Sequence, residues 1–436
     1  MTQPPTPQRQ GVAFTVPPGH SKAEAHERNL ALGQALLGTA PQEKLWRGPA
    51  DEACGAFATR LIPSAVGRID RLLLTVPWFY QEGSEEVVNP WLRDHLYGII
   101  GHLGADVLFT IVCHHNQQDE IRWWFEDLKI DPSRLQLVLS KYNYLEWAQD
   151  AYIALHSEHP EPILCEGVRF LRHDDMVIAD DVSAQTDVRQ LHSILEFQGG
   201  NFLGGIDTHL VGKDYIEGNL GRVRLETPER VVEEFERLLG GRVVVLGLDE
   251  RIPEEERRGT ITGEWQPLFH IDMYITRIGV QRDGKEVVLV GSPREARRLL
   301  DQAERPEDQD GYYDQAAEQL CDYGFAVDRI PLLPVREAPQ DWPEQDYVLT
   351  WNNVVIHEVL DGPEAERRRV LLPTFADPDN PLGVEQSVRE TLDAAAMKIW
   401  EDLGFLVLEV DRMEDLAYSA GSVHCITKVL QRTLAP

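Results

Sequence analysis

Near its C-terminal end the chain reads Gly421-Ser422-Val423-His424-Cys425-Ile426-Thr427, a cysteine set among small and polar residues. Sulfur attacks carbon as thiolate, and a thiolate needs a partly exposed, hydrogen-bonded place near positive charge. The glycine and serine upstream let the backbone turn and leave room for a substrate. The same residues also suit a cysteine on a buried strand, since free cysteine is among the most buried residue types.

Three other segments join polar functional groups to apolar surroundings. In Leu171-Arg172-His173-Asp174-Asp175-Met176-Val177-Ile178, two adjacent carboxylates open an apolar stretch. Either could grip a guanidinium through two parallel hydrogen bonds, or serve as a turn acid before a core strand. In Glu196-Phe197-Gln198-Gly199-Gly200-Asn201, the glycine pair marks a bend or a close approach of backbone to a ligand. In Phe269-His270-Ile271-Asp272-Met273, strand alternation puts His270 and Asp272 on one face, as a ligand-facing couple or a satisfied buried pair. A histidine and a cysteine brought together form a nucleophile with its proton carrier. Carboxylates at Asp174 and Asp272 would hold a cation between them, and a guanidinium is planar, cationic and bidentate towards carboxylates.

The elements that must position these groups follow a rhythm of strand, amphipathic helix and strand. Leu72–Val76 reads as a strand, Trp91–Leu103 as a helix ending at Gly104, and Asp106–Val112 as a second strand. The pattern returns as helix Pro228–Leu239 with strand Arg242–Leu246. Next come helix Gln315–Tyr323 with strand Phe325–Val327, then helix Ser387–Leu403 with strand Phe405–Val410. A glycine recurs between helix and strand, where a left-handed cap needs it. Further strand candidates are Asp175–Asp180, Thr208–Val211, Leu268–Ile278, Glu286–Val290, Tyr347–Ile356 and Arg369–Leu372. The spacing gives about five strand-strand-helix-strand units, and helices linking neighbouring strands argue for an α/β fold. Residues 1–45, polar and proline-rich at the start, read as a flexible lead, and 46–436 as a single domain. Three acidic stretches, Glu254-Glu255-Glu256, Arg305–Asp310 and Asp377–Leu382, read as solvent loops.

Composition narrows the partners. The chain has 436 residues, 42 of them basic and 73 acidic, for a net charge of −31. A field of that sign repels nucleic acid and anionic membranes, and favours a cationic small molecule or a basic peptide. Five scattered cysteines without a CxxC pair argue against a zinc ribbon or a disulfide scaffold. No metal or other cofactor is expected, and the neighbouring His114-His115 lacks a nearby third ligand. Without a membrane-length apolar run or a signal-like N-terminus, the expectation is a cytoplasmic protein. A homodimer is the default assembly.

The ordered set His-Asp-Asp-Met, Gln-Gly-Gly-Asn, His-Ile-Asp-Met and Gly-Ser-Val-His-Cys-Ile-Thr resembles the guanidine-modifying enzyme superfamily of deiminases, methylarginine hydrolases and amidinotransferases. The resemblance runs from about residue 60 to the end. It implies a five-bladed α/β propeller of ββαβ units, the pentein fold, around a polar centre. By position it implies Cys425 as nucleophile on the guanidinium carbon and His270 as acid and then base. Asp174 and Asp272 would bind the guanidinium nitrogens, with Asp175, Gln198 and Asn201 also at the substrate. His424 would face away and be structural. The arginine, agmatine and methylarginine branches carry a glutamate where this chain has Gln198; peptidylarginine deiminases lack it, so the site pattern resembles theirs more closely. The implied reaction turns a guanidino group of arginine, agmatine or a peptidyl-arginine into a ureido group and ammonia. The alternatives are transfer of the amidino group to an amine, or binding of an arginine-bearing peptide without turnover.

Overall fold

Helix Pro228–Leu239 illustrates how each unit is specified locally. Proline occupies the first turn, where no amide partner is lost, and Thr227 Oγ1 accepts the Arg230 amide. Val231, Phe235, Leu238 and Leu239 fall on one buried face. Each such side chain contributes about 1.5–3 kcal/mol by leaving water. Gly240, at φ 70°, ends the helix, and an added Cβ there would lie 2.0 Å from the Thr59 carbonyl oxygen. The chain then enters strand Arg242–Leu246, parallel to Thr208–Gly212.

The computed structural model describes residues 59–78, 88–104, 106–142, 144–170, 172–222, 225–257, 261–303, 305, 309–335, 346–359, 368–377 and 383–434. The lead at 1–45, Cys54 and parts of the two loops after Arg305 and Asp377 lie outside them. Among the described residues the strands make five sheets in a mixed α/β protein. Each contains an antiparallel pair, then a helix, then a strand parallel to the second of the pair. The pairs are Tyr152–His156 with Ile163–Glu166, Phe202–Leu203 with Thr208–Gly212, Ile275–Arg282 with Lys285–Ser292, and Val355–Glu358 with Arg368–Pro373. Their parallel partners are Arg189–His192, Arg242–Leu246, Ala326–Val335 and Phe405–Val410. The fifth sheet joins the two ends of the chain. Thr427–Thr433 pairs antiparallel with Arg68–Val76, which pairs parallel with Leu108–Cys113 after helix Pro90–Leu103. Among the described residues no helix is long and apolar enough to cross a membrane.

Three strand expectations fail, each for a local reason. Asp175–Asp180 is a 3-10 turn, His173–Val177, running into helix Ile178–Gln185. The Arg172–Asp175 ion pair suits a turn, and Asp180 and Asp181 sit where the helix dipole favours acids. Leu268–Ile278 becomes a strand only at Ile275, because Ile271–Met273 is a 3-10 turn. Tyr347–Ile356 is two strands in different sheets, broken where Asn352 donates to Thr276 Oγ1 and to the Leu289 carbonyl.

Candidate active site

Cys425 lies in the turn just before strand Thr427–Thr433 and is only 3% exposed. Its sulfur sits 3.8 Å from Met273 Sδ, and its amide donates to Asn353 Oδ1 at 3.1 Å. The expected partly exposed thiol is therefore a buried one. The space that Gly421 leaves is filled by the Trp147 indole, since an added Cβ would lie 2.1 Å from a ring carbon. Burial pushes the thiol well above its ordinary value, and the charges of Asp272 and Asp150 push it further.

His270 is buried at the start of the 3-10 turn. Its Nε2 donates to Gln198 Oε1 at 2.7 Å, which leaves Nδ1 as the basic nitrogen, 3.7 Å from Asp150 Oδ1. Burial lowers the imidazole below its ordinary value, with Asp150 and then Asp272 pulling the other way. Both shifts favour the uncharged forms, thiol and imidazole.

Asp150 and Asp272 are the two carboxylates that act most strongly on both Cys425 and His270. Each is anchored through one oxygen. Asp272 Oδ2 accepts from His424 Nδ1 at 2.6 Å, and Asp150 Oδ2 accepts from Arg172 Nη2 at 2.9 Å. The other oxygen of each, Oδ1, is buried and has no hydrogen-bond partner, and the same holds for His270 Nδ1. Two uncompensated carboxylate oxygens in a buried place disfavour the folded chain unless donors or a cation meet them. They suit a planar cation with several N–H groups.

The neighbouring residues explain how the parts are held. Asn353 ties the Cys425 turn to Asp272, its Oδ1 accepting from Cys425 N and its Nδ2 reaching the Asp272 carbonyl at 3.4 Å. Asn201, expected at the substrate, clamps the peptides on either side of His270. Its Nδ2 donates to the Phe269 carbonyl at 2.8 Å, and its Oδ1 accepts from Ile271 N at 3.2 Å. Gln198, likewise expected at the substrate, orients the imidazole. The Gly199-Gly200 pair does mark a close approach, but to protein. An added Cβ would lie 1.9 Å from the Gln149 carbonyl oxygen at Gly199, and 2.4 Å from His270 Nδ1 at Gly200.

The first acidic segment is placed differently from expectation. Asp175 is committed to Arg172 Nε at 2.7 Å and to the Leu145 amide at 2.8 Å, so it positions Arg172 and does not face a substrate. Asp174 is buried in the 3-10 turn, and Asp150 instead stands beside His270. Asp150 carried no sequence signal beyond an acid in Trp147-Ala148-Gln149-Asp150, ahead of an apolar strand. His424 does not face away: the segment before Thr427 is a turn, so strand alternation does not govern it. His114 stacks on Trp78, with ring centroids 4.7 Å apart.

No family model matches the chain, and no curated protein matches it by sequence. Solved structures do match in fold. An agmatine deiminase of C. jejuni aligns with a TM-score of 0.56 at 15% identity, over 87% of this chain and 98% of that one. An agmatine deiminase of Enterococcus faecalis aligns with a TM-score of 0.58 at 14% identity, over 88% and 97%. The chain therefore shares the α/β fold of these deiminases.

Proposed function

We propose that this chain is a cysteine hydrolase that replaces a terminal nitrogen of a guanidino compound with oxygen, giving a ureido product and ammonia. Its five sheets are read as the five blades of a pentein propeller, with Cys425, His270, Asp150 and Asp272 at the centre. One observation carries the reading. Two buried carboxylate oxygens, Asp150 Oδ1 and Asp272 Oδ1, have no hydrogen-bond partner and belong to the two acids whose charges act on both the Cys425 thiol and the His270 imidazole. The fold likeness to agmatine deiminases supports it.

In this mechanism the guanidinium settles between Asp150 Oδ1 and Asp272 Oδ1, and its charge favours the thiolate. The Cys425 proton passes to His270 Nδ1, and sulfur bonds to the central carbon. The C–N bond to the departing nitrogen then breaks as the imidazolium returns the proton, and ammonia leaves. His270 next takes a proton from water, whose oxygen bonds to the same carbon. The C–S bond breaks as the hydroxyl proton passes to sulfur, thiol and ureido product are released, and His270 gives its proton to solvent, where ammonia takes it up as ammonium. The anchored carboxylates supply orientation and charge stabilisation without reorganising.

A second reading, binding of an arginine-bearing peptide without turnover, draws on Gln198, a neutral partner that does little to hold His270 charged. One assay separates them. The protein is incubated with arginine, agmatine and an arginine peptide, and ureido product and ammonia are measured for the wild type and for Cys425→Ala. Ureido product from the wild type alone supports hydrolysis. Amidino transfer to glycine without ammonia indicates a transferase, and binding without product supports the second reading. Equal turnover by Cys425→Ala removes the mechanism.

A further inference from the structure

Lys428 lies three residues after Cys425, on strand Thr427–Thr433, and is 4% exposed. Among the described residues it forms no ion pair; its ammonium is met by backbone. Nζ donates to the Tyr152 carbonyl at 2.7 Å and to the Gln149 carbonyl at 3.2 Å, the two peptides that bracket Asp150. The amine sits in the notch that Gly199 opens, where an added Cβ would lie 2.9 Å from Nζ and 2.7 Å from the Tyr152 carbonyl oxygen. Around it the three site-bearing segments are stitched together. Gln149 N donates to the Cys425 carbonyl at 3.1 Å, Gly199 N donates to the Asp150 carbonyl at 2.9 Å, and Gln149 Nε2 donates to the Gly199 carbonyl at 3.2 Å. Arg172 holds one oxygen of the Asp150 side chain, while Lys428 holds the Gln149 and Tyr152 carbonyls on either side of it.

We propose that Lys428 is a positioning residue, whose side-chain nitrogen fixes the Gln149–Tyr152 turn so that Asp150 Oδ1 faces His270 and Cys425. This deepens the guanidino reading and rests on it for what Asp150 binds. A buried lysine hydrogen-bonded only to carbonyls, with Nζ 5.7 Å from the Tyr152 ring centroid, is an unfavourable choice for stability alone, because burying an ammonium opposes folding. Burial pulls its amine down to about 7, against Asp150 and Asp272.

The test is a double-mutant cycle on the full chain with Lys428→Met, Asp150→Asn and both together. Calorimetry gives the Kd for agmatine and for arginine, and thermal unfolding gives the Tm. Lys428→Met should weaken binding about tenfold in the wild-type background and by less than about twofold beside Asp150→Asn, because a residue acting through another loses its effect when that one is gone. Equal losses in both backgrounds, or wild-type binding by Lys428→Met, would overturn the proposal. If Lys428→Met does not fold, Lys428→Gln, which keeps a donor, takes its place with a smaller effect. The rate of Cys425 alkylation by iodoacetamide against pH gives a readout that needs no substrate. Asp150→Asn should move its midpoint down, because the charge that raises the thiol is gone. Lys428→Met should move it the same way, and the double variant no further. A wild type that binds neither agmatine nor arginine sinks the guanidino reading, and the alkylation cycle then decides Lys428 by itself.

Discussion

Gly200→Ala tests the site by geometry. An added Cβ would lie 2.4 Å from His270 Nδ1, 2.8 Å from Cγ and 3.1 Å from Cε1. Ordinary contact for such atoms begins near about 3.5 Å, so one side must yield by about 1 Å. The backbone is the stiffer side, with Gly199 N bonded to the Asp150 carbonyl and Asn201 N to the Gln198 carbonyl, all in buried structure. The ring must therefore move, giving up its bond to Gln198 or its approach to Asp150. A misplacement of that size costs about 100-fold in rate, equivalent to about 2.7 kcal/mol. Overpacking lowers stability by about 1–3 kcal/mol, so the protein should still fold. The assay is kcat and KM for ureido product from the best guanidino substrate, beside a melting curve. Gly98→Ala is the control: nothing lies within 4 Å of its added Cβ, in mid-helix, and it should gain about 0.5–1 kcal/mol. A folded Gly200→Ala protein with wild-type kcat would refute the placement of His270 or its role.

Two other expectations follow from the charges around the site. Burial raises the Cys425 thiol well above its ordinary value, so its alkylation by iodoacetamide should be slow near pH 7 and accelerate only well above the ordinary thiol range. Once pH passes that range the unfolded chain loses a proton that the folded chain keeps, so this group's contribution to stability falls as pH rises. Rapid alkylation at pH 6–7 would show a thiolate in the resting site. Asp175→Ala should cost about 2–3 kcal/mol in denaturant unfolding, since it strips the half-buried Arg172 of one of its two carboxylates and leaves the Leu145 amide without its acceptor. A loss under about 1 kcal/mol would show that Asp150 alone neutralises Arg172.

How much of this was legible beforehand depends on how far each signal travels along the chain. Helix Pro228–Leu239 and strand Arg242–Leu246 appear where their caps and apolar spacing put them, because those signals act within a turn or two. Cys425, His270 and Asp272 were singled out because their segments carry local marks, a glycine, a turn and paired polar groups among apolar ones, and all three are buried. The geometry attached to them was misjudged. His270 and Asp272 are brought into place by a 3-10 turn, since Asn201 and Asn353 supply side-chain partners that an extended strand would not need. Asp150, Arg172, Asn353 and Lys428 were not found at all. Each is an ordinary residue in its own stretch, and it gains a role only by long-range pairing: Lys428 meets Gln149 across 279 positions, and Asn353 meets Cys425 across 72. Backbone propensity and periodicity are settled among near neighbours, whereas which acid faces the thiol is decided by how separate sheets pack. The amino-acid order thus determined most of the elements and pointed to three of the groups in the proposed site. Tertiary structure alone selected Asp150 as the second carboxylate beside His270, because only packing brings its free oxygen to the imidazole.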